Sequence, residues 1–254
     1  RQYLQPDPTA PNAAGRGAAR VNNTVPHAPF AGPPMPPAMI RWYELDTVLL
    51  DMDGTLLDLH YDNHFWLEHV PRRFAEKHGL SYEAAKTVLI RRYREVEGTL
   101  EWYCVDFWSR ELDLDIPVLK QEVDQLIVVH PYVIDFLDAV RRLDKRIVLV
   151  TNAHGKVLQL KMHHTQLGGH FDTVLSAHDM GTPKEDVRFW PKLQAIEPFE
   201  RTRTLLIDDS LPVLRSAHSY GIGQLLTVRK PDSRRPQKPV EEFPAITSFR
   251  DIIP

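Results

Sequence analysis

The sequence predicts an α/β fold in which a Rossmann-like parallel sheet core carries an inserted α-helical domain. From residue 41 onward, short apolar runs alternate with amphipathic stretches. Such alternation favours parallel strands joined by right-handed helical crossovers. Three of the runs end in acidic or hydroxyl side chains, and one long gap after the first run has no strand pattern. We therefore expect polar residues at one edge of the sheet and helices inserted beside that edge.

The predicted elements follow from where the apolar runs begin and end. Short hydrophobic runs bounded by turn residues are typical of strands that are buried on both faces of a parallel sheet. Amphipathic stretches between the later runs have the spacing of helices that cover a sheet. The predicted strands are 47–51, 146–151, 172–175, 203–207 and 223–228, and the predicted helices are roughly 131–144, 155–167, 185–196 and 211–219.

Residues 59–130 separate the first two strands and contain no convincing strand pattern. Ser81 stands where an N-cap would, and Glu83 lies favourably near the start of the helix that follows. We expect this segment to form a small helical domain over the site, between core segments 41–58 and 131–254. Its predicted helices are about 63–77, 82–97, 105–112 and 117–128.

Residues 1–40 differ in composition from the rest of the chain. They hold nine of the 21 prolines, mixed with Ala, Gly and Asn. Such a segment cannot bury enough apolar surface to offset the entropy lost on ordering. We expect a disordered Pro-rich tail, and a Pro-rich docking site is the alternative.

Composition limits the possible partners and compartment. The chain has 254 residues, 43% of them hydrophobic, and a formal net charge of −3. That charge does not predict a surface for bulk nucleic acid, and no apolar run approaches the length of a membrane span. The single cysteine, Cys104, excludes an internal disulfide and favours a reducing cytoplasm. The sequence leaves the oligomeric state open.

The strongest chemical signal is the pair Asp51 and Asp53 directly after the first apolar run. The carboxyl ends of strands in an open α/β sheet are where active sites lie. One carboxylate there can act as a nucleophile while the other transfers protons, and close negative charges attract a divalent cation. An acidic turn after a strand would have the same local sequence, so the later motifs must decide between the two interpretations.

Three further polar groups close later segments of the chain. Thr151 and Asn152 end the second strand, and a hydroxyl there can donate to a phosphate oxygen. Lys184 lies in a turn before a helix, where its ammonium can neutralise phosphate charge. Asp208 and Asp209 follow the fourth strand, and oxygen ligands of this kind suit Mg²⁺. The order of these groups along the chain is improbable by chance.

In that order the motifs resemble those of the haloacid dehalogenase superfamily, and the helical insert resembles the family's C1 cap. The closer similarity is to the bacterial GMP/IMP nucleotidase branch, and it extends from about residue 46 to the end of the chain. The resemblance implies a phosphatase that works through an aspartyl-phosphate. The stretches that carry it are 46–58, 62–66, 99–104, 151–154, 183–186 and 231–233.

The resemblance also implies roles for the motif residues. Asp51 corresponds to the nucleophile, and Asp53 to the general acid/base, whose main-chain carbonyl would also bind Mg²⁺. Thr151 and Asn152 would hold the phosphoryl group, and Lys184 would be the charge anchor.

The last motif departs from the family pattern. Many relatives carry a second Asp one helical turn later, where this chain has Val213 and Leu214. Asp209 is the first choice for the Mg²⁺ ligand, and Asp208 is expected to replace the missing carboxylate. The division of roles between these two aspartates is left open.

The insert should select the leaving group, because it faces the phosphate site. Its aromatic residues, such as Trp66 and Trp102, could stack a purine, although most of them can equally form the small core of the insert. Asn63, Arg92 and Glu101 are polar candidates for reading the edge of the base.

Five histidines between residues 154 and 178 have irregular spacing that gives no zinc signature. We therefore expect ordinary surface or supporting roles for them, with His154 nearest to the site.

The favoured function is a Mg²⁺-dependent 5′-nucleotidase that acts on a small phosphomonoester of the purine mononucleotide class. The alternatives are a phosphatase for sugar phosphates or phosphoglycolate, a phosphomutase, or a regulatory protein that binds a phospho-ligand.

Overall fold

The structure is a computed structural model, and it describes residues 40–254. The expectation of a disordered tail over residues 1–40 therefore lies, apart from Ile40, outside the described residues.

Six parallel strands form the sheet, and their order across it is β3-β2-β1-β4-β5-β6. The central strand β1 pairs with β2 on one side and with β4 on the other, so that Leu50 lies level with Leu149 and Ile207. This register brings the carboxyl ends of the three strands to one edge. The strands are β1 Thr47–Leu50, β2 Arg146–Thr151, β3 Thr173–Ser176, β4 Thr204–Ile207, β5 Gln224–Val228 and β6 Ala245–Ile246.

The two faces of the sheet are covered by different helices, because successive side chains of a strand point to opposite faces. Val48 and Leu50 pack in one apolar cluster, and Leu49 packs in another. The first cluster includes α7 Val133–Arg142 and α8 Gly155–Thr165, and the second includes α9 Phe189–Ile196 and α10 Leu211–Tyr220.

The segment between β1 and α7 is helical, and its apolar residues join the first of these clusters. Its first helix continues through a π-helical stretch, Phe65–His69, into the second helix. Ser81 caps the third helix, accepting a hydrogen bond from the backbone N–H of Ala84 at 3.3 Å. The helices are α1 His60–His64, α2 Val70–His78, α3 Tyr82–Val96, α4 Leu100–Tyr103, α5 Val105–Leu112 and α6 Ile116–Gln121.

The predicted strands agree with the observed ones to within one residue at each end, and the parallel α/β fold is confirmed. Strand β6 and helix α4 were not predicted, because each is too short to show a periodic pattern. Three other boundaries were wrong. The helix predicted over about 63–77 begins at His60. Helix α9 begins at Phe189 rather than at residue 185, since residues 183–188 form turns. The helix predicted over 117–128 ends at Gln121 and is followed by a 3₁₀ turn at Asp124–Leu126.

Within residues 40–254, every helix is too short or too polar to traverse a lipid bilayer.

Candidate active site

The carboxyl edge of the sheet gathers the polar residues that follow three strands. Asp51 directly follows β1, and its backbone N–H donates to Ile207 O at 3.0 Å, so the ladder with β4 continues to this residue. Thr151 ends β2, and Asp208 follows β4. All of these side chains are buried. The parallel register thus brings together residues that are about 50 to 150 positions apart in the sequence.

Lys184 joins two of these carboxylates. Its Nζ donates to Asp51 Oδ1 at 2.6 Å, to Asp208 Oδ2 at 2.7 Å and to the Val150 carbonyl at 3.0 Å. Burial alone would lower the pKa of Lys184, but the adjoining carboxylates outweigh it and raise that pKa above its ordinary value. The ammonium therefore stays charged; two of its donors hold the two aspartates in place, and the third is anchored on the Val150 carbonyl.

The turn after Asp51 approaches the last acidic pair closely. Gly54 has a φ of +88°, and a Cβ added there would lie 2.8 Å from Asp209 Cγ. Thr55 Oγ1 accepts a hydrogen bond from Asp209 N at 3.1 Å. A residue with a side chain at position 54 would therefore meet both backbone strain and a clash with the Asp209 carboxylate.

Asp51, Asp208 and Asp209 form a buried acidic cluster in which one carboxylate oxygen of each lies within 4.8 Å of the others. Burial raises the pKa of Asp51 and of Asp208, and the charge of Asp209 adds to this effect, against the opposing Lys184 ammonium. Three buried carboxylates facing one another are unfavourable without further positive charge. The oxygen-only donor set fits a hard divalent cation such as Mg²⁺.

The two residues of the acidic pair differ in their hydrogen bonds. Asp208 uses one carboxylate oxygen for Lys184 and the other for the backbone N–H of Ser210, at 2.9 Å. Asp209 Oδ2 accepts from Lys238 Nζ at 3.0 Å, and the Lys238 side chain is partly exposed. The carboxylate of Asp208 is thus engaged within the protein, whereas the charge partner of Asp209 can be displaced towards solvent.

Asp53 belongs to a second charged network. Its Oδ1 accepts from Lys161 Nζ at 2.6 Å, and Lys161 also donates to Asp62 at 2.7 Å. Lys120 completes the network with a 2.7 Å bond to Asp62, while its ammonium lies 4.3 Å from the centroid of the Phe65 ring. This network ties Asp53 to α8 of the core and to α1 and α6 of the insert.

The network separates the pKa values of its two carboxyl groups. Burial raises the pKa of Asp53 to about 7, although the Lys161 ammonium opposes the rise. Asp62 is also buried, yet the ammonium groups of Lys120 and Lys161 lower its pKa to about 2. A carboxyl with a pKa near neutrality can both give and take a proton, which suits an acid/base role.

The polar residues at the end of β2 organise the loop that carries Lys184. Asn152 Oδ1 accepts from the backbone N–H of Lys184 at 3.0 Å, and its Nδ2 donates to Glu185 at 2.9 Å. Thr151 Oγ1 accepts from the backbone N–H of Ala153 at 3.0 Å, which leaves the hydroxyl proton available as a donor. Glu185 in turn accepts from the hydroxyl of Tyr103 in the insert.

A single cavity connects this charged edge with the aromatic residues of the insert. Asp51, Asp53 and Lys184 line it, and so do Thr151, Asn152, Asp208 and Asp209. Aromatic side chains from the insert line the same cavity, and some of them pack edge-to-face, as in the pair Tyr93 and Trp108 with ring centroids 5.0 Å apart. The aromatic lining residues are Trp66, Tyr93, Trp102, Tyr103 and Trp108.

The residues predicted to contact substrate divide into two groups. Asn63, Trp66 and Trp102 line the cavity, and Asn63 Nδ2 donates to Asp232 at 2.7 Å. Arg92 and Glu101 are not among the residues that line this cavity. Arg92 instead donates to the Glu111 carbonyl at 2.8 Å, and Glu101 is exposed on α4.

Lys161, Asp62 and Lys120 were missed in the sequence because no local spacing connects them. Lys161 lies 108 positions from Asp53 and 99 from Asp62. The available signal was a lysine on the amphipathic stretch of α8 that falls on its buried side. Buried lysines need a carboxylate partner, and that partner is visible only in the folded chain.

The fold and this site define a hydrolase built around an aspartate at the carboxyl end of a central parallel strand. The model of the haloacid dehalogenase-like hydrolase family matches residues 45–221, and the chain belongs to that family. Relatives named GMP/IMP nucleotidase YrfG, from Escherichia coli (strain K12) and Shigella flexneri, are 41% identical to it over 215 residues. The match spans 85% of this chain and 97% of each relative.

Solved structures of more distant proteins share the fold. A HAD phosphatase from Thermococcus onnurineus has a TM-score of 0.68 at 21% identity, covering 82% of this chain and 96% of that one. L-2-haloacid dehalogenase from Xanthobacter autotrophicus has a TM-score of 0.56 at 14% identity, covering 82% and 96% of the two chains. Because one fold serves a phosphatase and a dehalogenase, the reaction has to be argued from the residues of the site.

Proposed function

We propose that this protein is a Mg²⁺-dependent phosphatase that hydrolyses purine nucleoside 5′-monophosphates, with GMP and IMP as substrates. The observation that carries this proposal is the shared cavity, in which Asp51, Asp53 and Lys184 face the same space as five aromatic side chains of the insert. The names of the relatives at 41% identity support the choice of substrate.

The reaction proceeds in two steps at Asp51. An Asp51 oxygen attacks phosphorus in line, and the bond to the ribose 5′-oxygen breaks as Asp53 protonates that oxygen. Asp53 then accepts a proton from water, which attacks the aspartyl-phosphate and releases inorganic phosphate and free Asp51. The pKa of Asp53, raised by burial to about 7, suits both transfers. A dehalogenase needs no acid to protonate a halide, so Asp53 favours phosphoryl transfer.

The remaining residues hold the phosphoryl group. Lys184 keeps a positive charge beside Asp51, and the Thr151 hydroxyl has a proton to donate to a phosphate oxygen. Asn152 acts by holding the Lys184 loop through its 3.0 Å hydrogen bond to the Lys184 backbone.

The acidic cluster would hold Mg²⁺ through Asp51, Asp209 and the main-chain carbonyl of Asp53. Asp208 acts mainly as the partner of Lys184, because both of its oxygens are already engaged. When bound, Mg²⁺ offsets negative charge on the phosphate oxygens.

We further propose that residues 59–130 form a cap domain over a core made of residues 41–58 and 131–254. The hydrogen bond from Tyr103 to Glu185 and the Asp53–Lys161–Asp62–Lys120 network join the two parts around the cavity. With one cysteine and no possible internal disulfide, the protein suits the reducing cytoplasm.

The test is phosphate release from GMP, IMP, AMP, UMP, glucose 6-phosphate and phosphoglycolate, with Mg²⁺ and with EDTA. We expect release from GMP and IMP that needs Mg²⁺ and is lost in Asp51→Asn. Release mainly from sugar phosphates would keep the chemistry and reject the nucleotidase. Release that persists in EDTA or in Asp51→Asn would reject the mechanism.

A further inference from the structure

A second cluster of metal-ligating side chains lies apart from the acidic centre. Cys104, His154 and His178 each present a ligand atom, and these atoms lie within 4.8 Å of one another. Cys104 lies between α4 and α5, His154 is the N-cap of α8, and His178 lies in the turn after β3. Three separate segments of the chain therefore converge on this point, which is why the irregular spacing of the histidines in the sequence gave no zinc signature.

The hydrogen bonds of the His178 ring are arranged as in a histidine that binds a metal ion. Its Nε2 is buried and has no hydrogen-bond partner. The backbone of Asn152 is a hydrogen-bond partner of the ring, so that bond must be made by Nδ1. A proton held on Nδ1 by a carbonyl leaves an unshared electron pair on Nε2, the arrangement that metal-ligating histidines adopt. A buried acceptor without a partner is otherwise costly.

The other two side chains complete the ligand set. Cys104 Sγ accepts from the backbone N–H of Phe107 at 3.4 Å at the start of α5, and a helix N-terminus stabilises a thiolate. The rings of His154 and His178 have centroids 4.9 Å apart at 75°. Asp106 Oδ2 lies 3.7 Å from His154 Nε2, close enough to orient that imidazole.

Charge also favours neutral imidazoles here. Burial and, to a smaller extent, the neighbouring His154 lower the pKa of His178 to about 4. Burial likewise lowers the pKa of His154, although Asp106 opposes it. Ligation requires an unprotonated nitrogen, which His178 offers at Nε2. His154 Nδ1 accepts from the backbone N–H of Lys156 at 3.3 Å, and a metal–nitrogen bond would replace that hydrogen bond.

We propose that Cys104, His154 and His178 form a binding site for one divalent transition-metal ion of the zinc class. One thiolate and two imidazoles select Zn²⁺ or Co²⁺ over Mg²⁺, which prefers oxygen ligands. Tetrahedral bonds to zinc place ligand atoms about 3.3–3.8 Å apart. Side-chain rotations that move the ligand atoms by about 1 Å would therefore close the site. The Cys104 thiol gives its proton to solvent as the metal–sulfur bond forms.

The site would connect the helical insert with the core. Cys104 belongs to the insert, whereas both histidines follow strands of the sheet, and His154 also lines the main cavity. A bound ion would hold the α4–α5 connection, with the neighbouring Trp102 and Tyr103, against the carboxyl edge. This is a role separate from the Mg²⁺ chemistry at Asp51.

The test is titration of the full chain with Co²⁺ in excess Mg²⁺, which occupies the acidic centre. We expect one equivalent of Co²⁺ to bind with a thiolate-to-cobalt charge-transfer band, and Zn²⁺ to displace it. Cys104→Ser should lose the band, and His178→Gln should lose at least 10-fold in affinity. His164→Gln, an exposed histidine of α8, is the matched control and should bind as the wild type does.

Thermal unfolding gives an independent measurement, with far-UV circular dichroism to establish that each variant is folded. Zn²⁺ should raise the Tm of the wild type and of His164→Gln, and should raise it less in Cys104→Ser and His178→Gln. Equal Tm shifts in all four proteins, or Co²⁺ binding to the wild type without a thiolate band, would overturn the proposal.

Discussion

At the level of single residues, Asp51 and Asp53 lie two positions apart and are held by different lysines. Asp51 is held by the Lys184 ammonium at 2.6 Å, whereas Asp53 is held by Lys161 at the same distance and is 20% exposed. The pKa of Asp53, raised by burial, lies near neutrality. These environments support the proposal that Asp51 is the nucleophile and that Asp53 transfers protons.

Asp53→Asn should lower kcat for GMP by roughly 10²–10⁴-fold, because the ribose 5′-oxygen is a poor leaving group without a proton donor. The kcat for an activated ester, para-nitrophenyl phosphate, should fall much less, since its leaving group needs little protonation. Steady-state kinetics on both substrates make the comparison. Asp51→Asn is the control that should be inactive on both, and an equal loss on both in Asp53→Asn would argue against the acid role.

Lys161→Met should move the alkaline limb of the pH–rate profile to higher pH. The Lys161 ammonium opposes the effect of burial on Asp53, so its removal raises the Asp53 pKa above about 7. Because Asp53 must be protonated to act as an acid, turnover then persists to higher pH. Lys156→Met, at an exposed lysine of the same helix, should leave the profile in place. A shift to lower pH would contradict the assignment.

At the level of elements, the insert contributes the aromatic wall of the cavity. Helix α4 carries Trp102 and Tyr103, and the Tyr103 hydroxyl reaches Glu185 of the core. Trp108 of α5 is buried and donates from Nε1 to the Trp102 carbonyl at 3.0 Å, which fixes the position of α4. Trp102 and Trp108 both line the cavity, and the buried Trp108 also supports Trp102 from below through this hydrogen bond.

Trp102→Leu should lower kcat/KM for GMP by roughly 10–100-fold, in line with about 1–3 kcal/mol for stacking of a base on an aromatic ring. The kcat/KM for ribose 5-phosphate, which has no base, should fall far less. The measurement is kcat/KM for both substrates. Trp42→Leu, at a half-buried tryptophan that packs on Phe136 outside the cavity lining, is the control. Equal losses on both substrates would show that Trp102 acts on the fold rather than on the base.

Across the whole molecule, the buried Lys120–Asp62–Lys161 network joins three helices and makes stability depend on pH. The two ammonium groups overcome burial and lower the pKa of Asp62 to about 2, below its ordinary 3.8. For a lowered carboxyl pKa, the added stability is complete above the unfolded pKa and is lost as the pH falls through the folded one.

The free energy of unfolding of the wild type should therefore fall relative to that of Asp62→Asn by about 2 kcal/mol between about pH 6 and 2. Urea unfolding at several pH values measures this difference. Asp135→Asn, at an exposed aspartate of α7, is the control. A difference between wild type and Asp62→Asn that stays constant over this range would mean that the lysines do not hold Asp62 ionised.

Local sequence patterns determined the strands of the sheet and the site residues that follow them. Runs such as Thr47–Leu50 and Arg146–Thr151 are apolar because both faces of a parallel strand are buried, so they predicted the strands and the positions of Asp51, Thr151 and Asp208 at their ends. The chemistry-bearing residues follow their strands directly, and their order along the chain needed no tertiary information.

The tertiary structure alone decided which distant residues meet. The Lys161–Asp53 pair, the exclusion of Arg92 from the cavity and the convergence of Cys104, His154 and His178 all depend on how helices from separate segments pack. Periodicity shows which face of a helix is buried, but it carries no information about the partner on the other side. The ends of the strands can therefore be predicted from this sequence, whereas the contacts between the insert and the core are decided only when the chain folds.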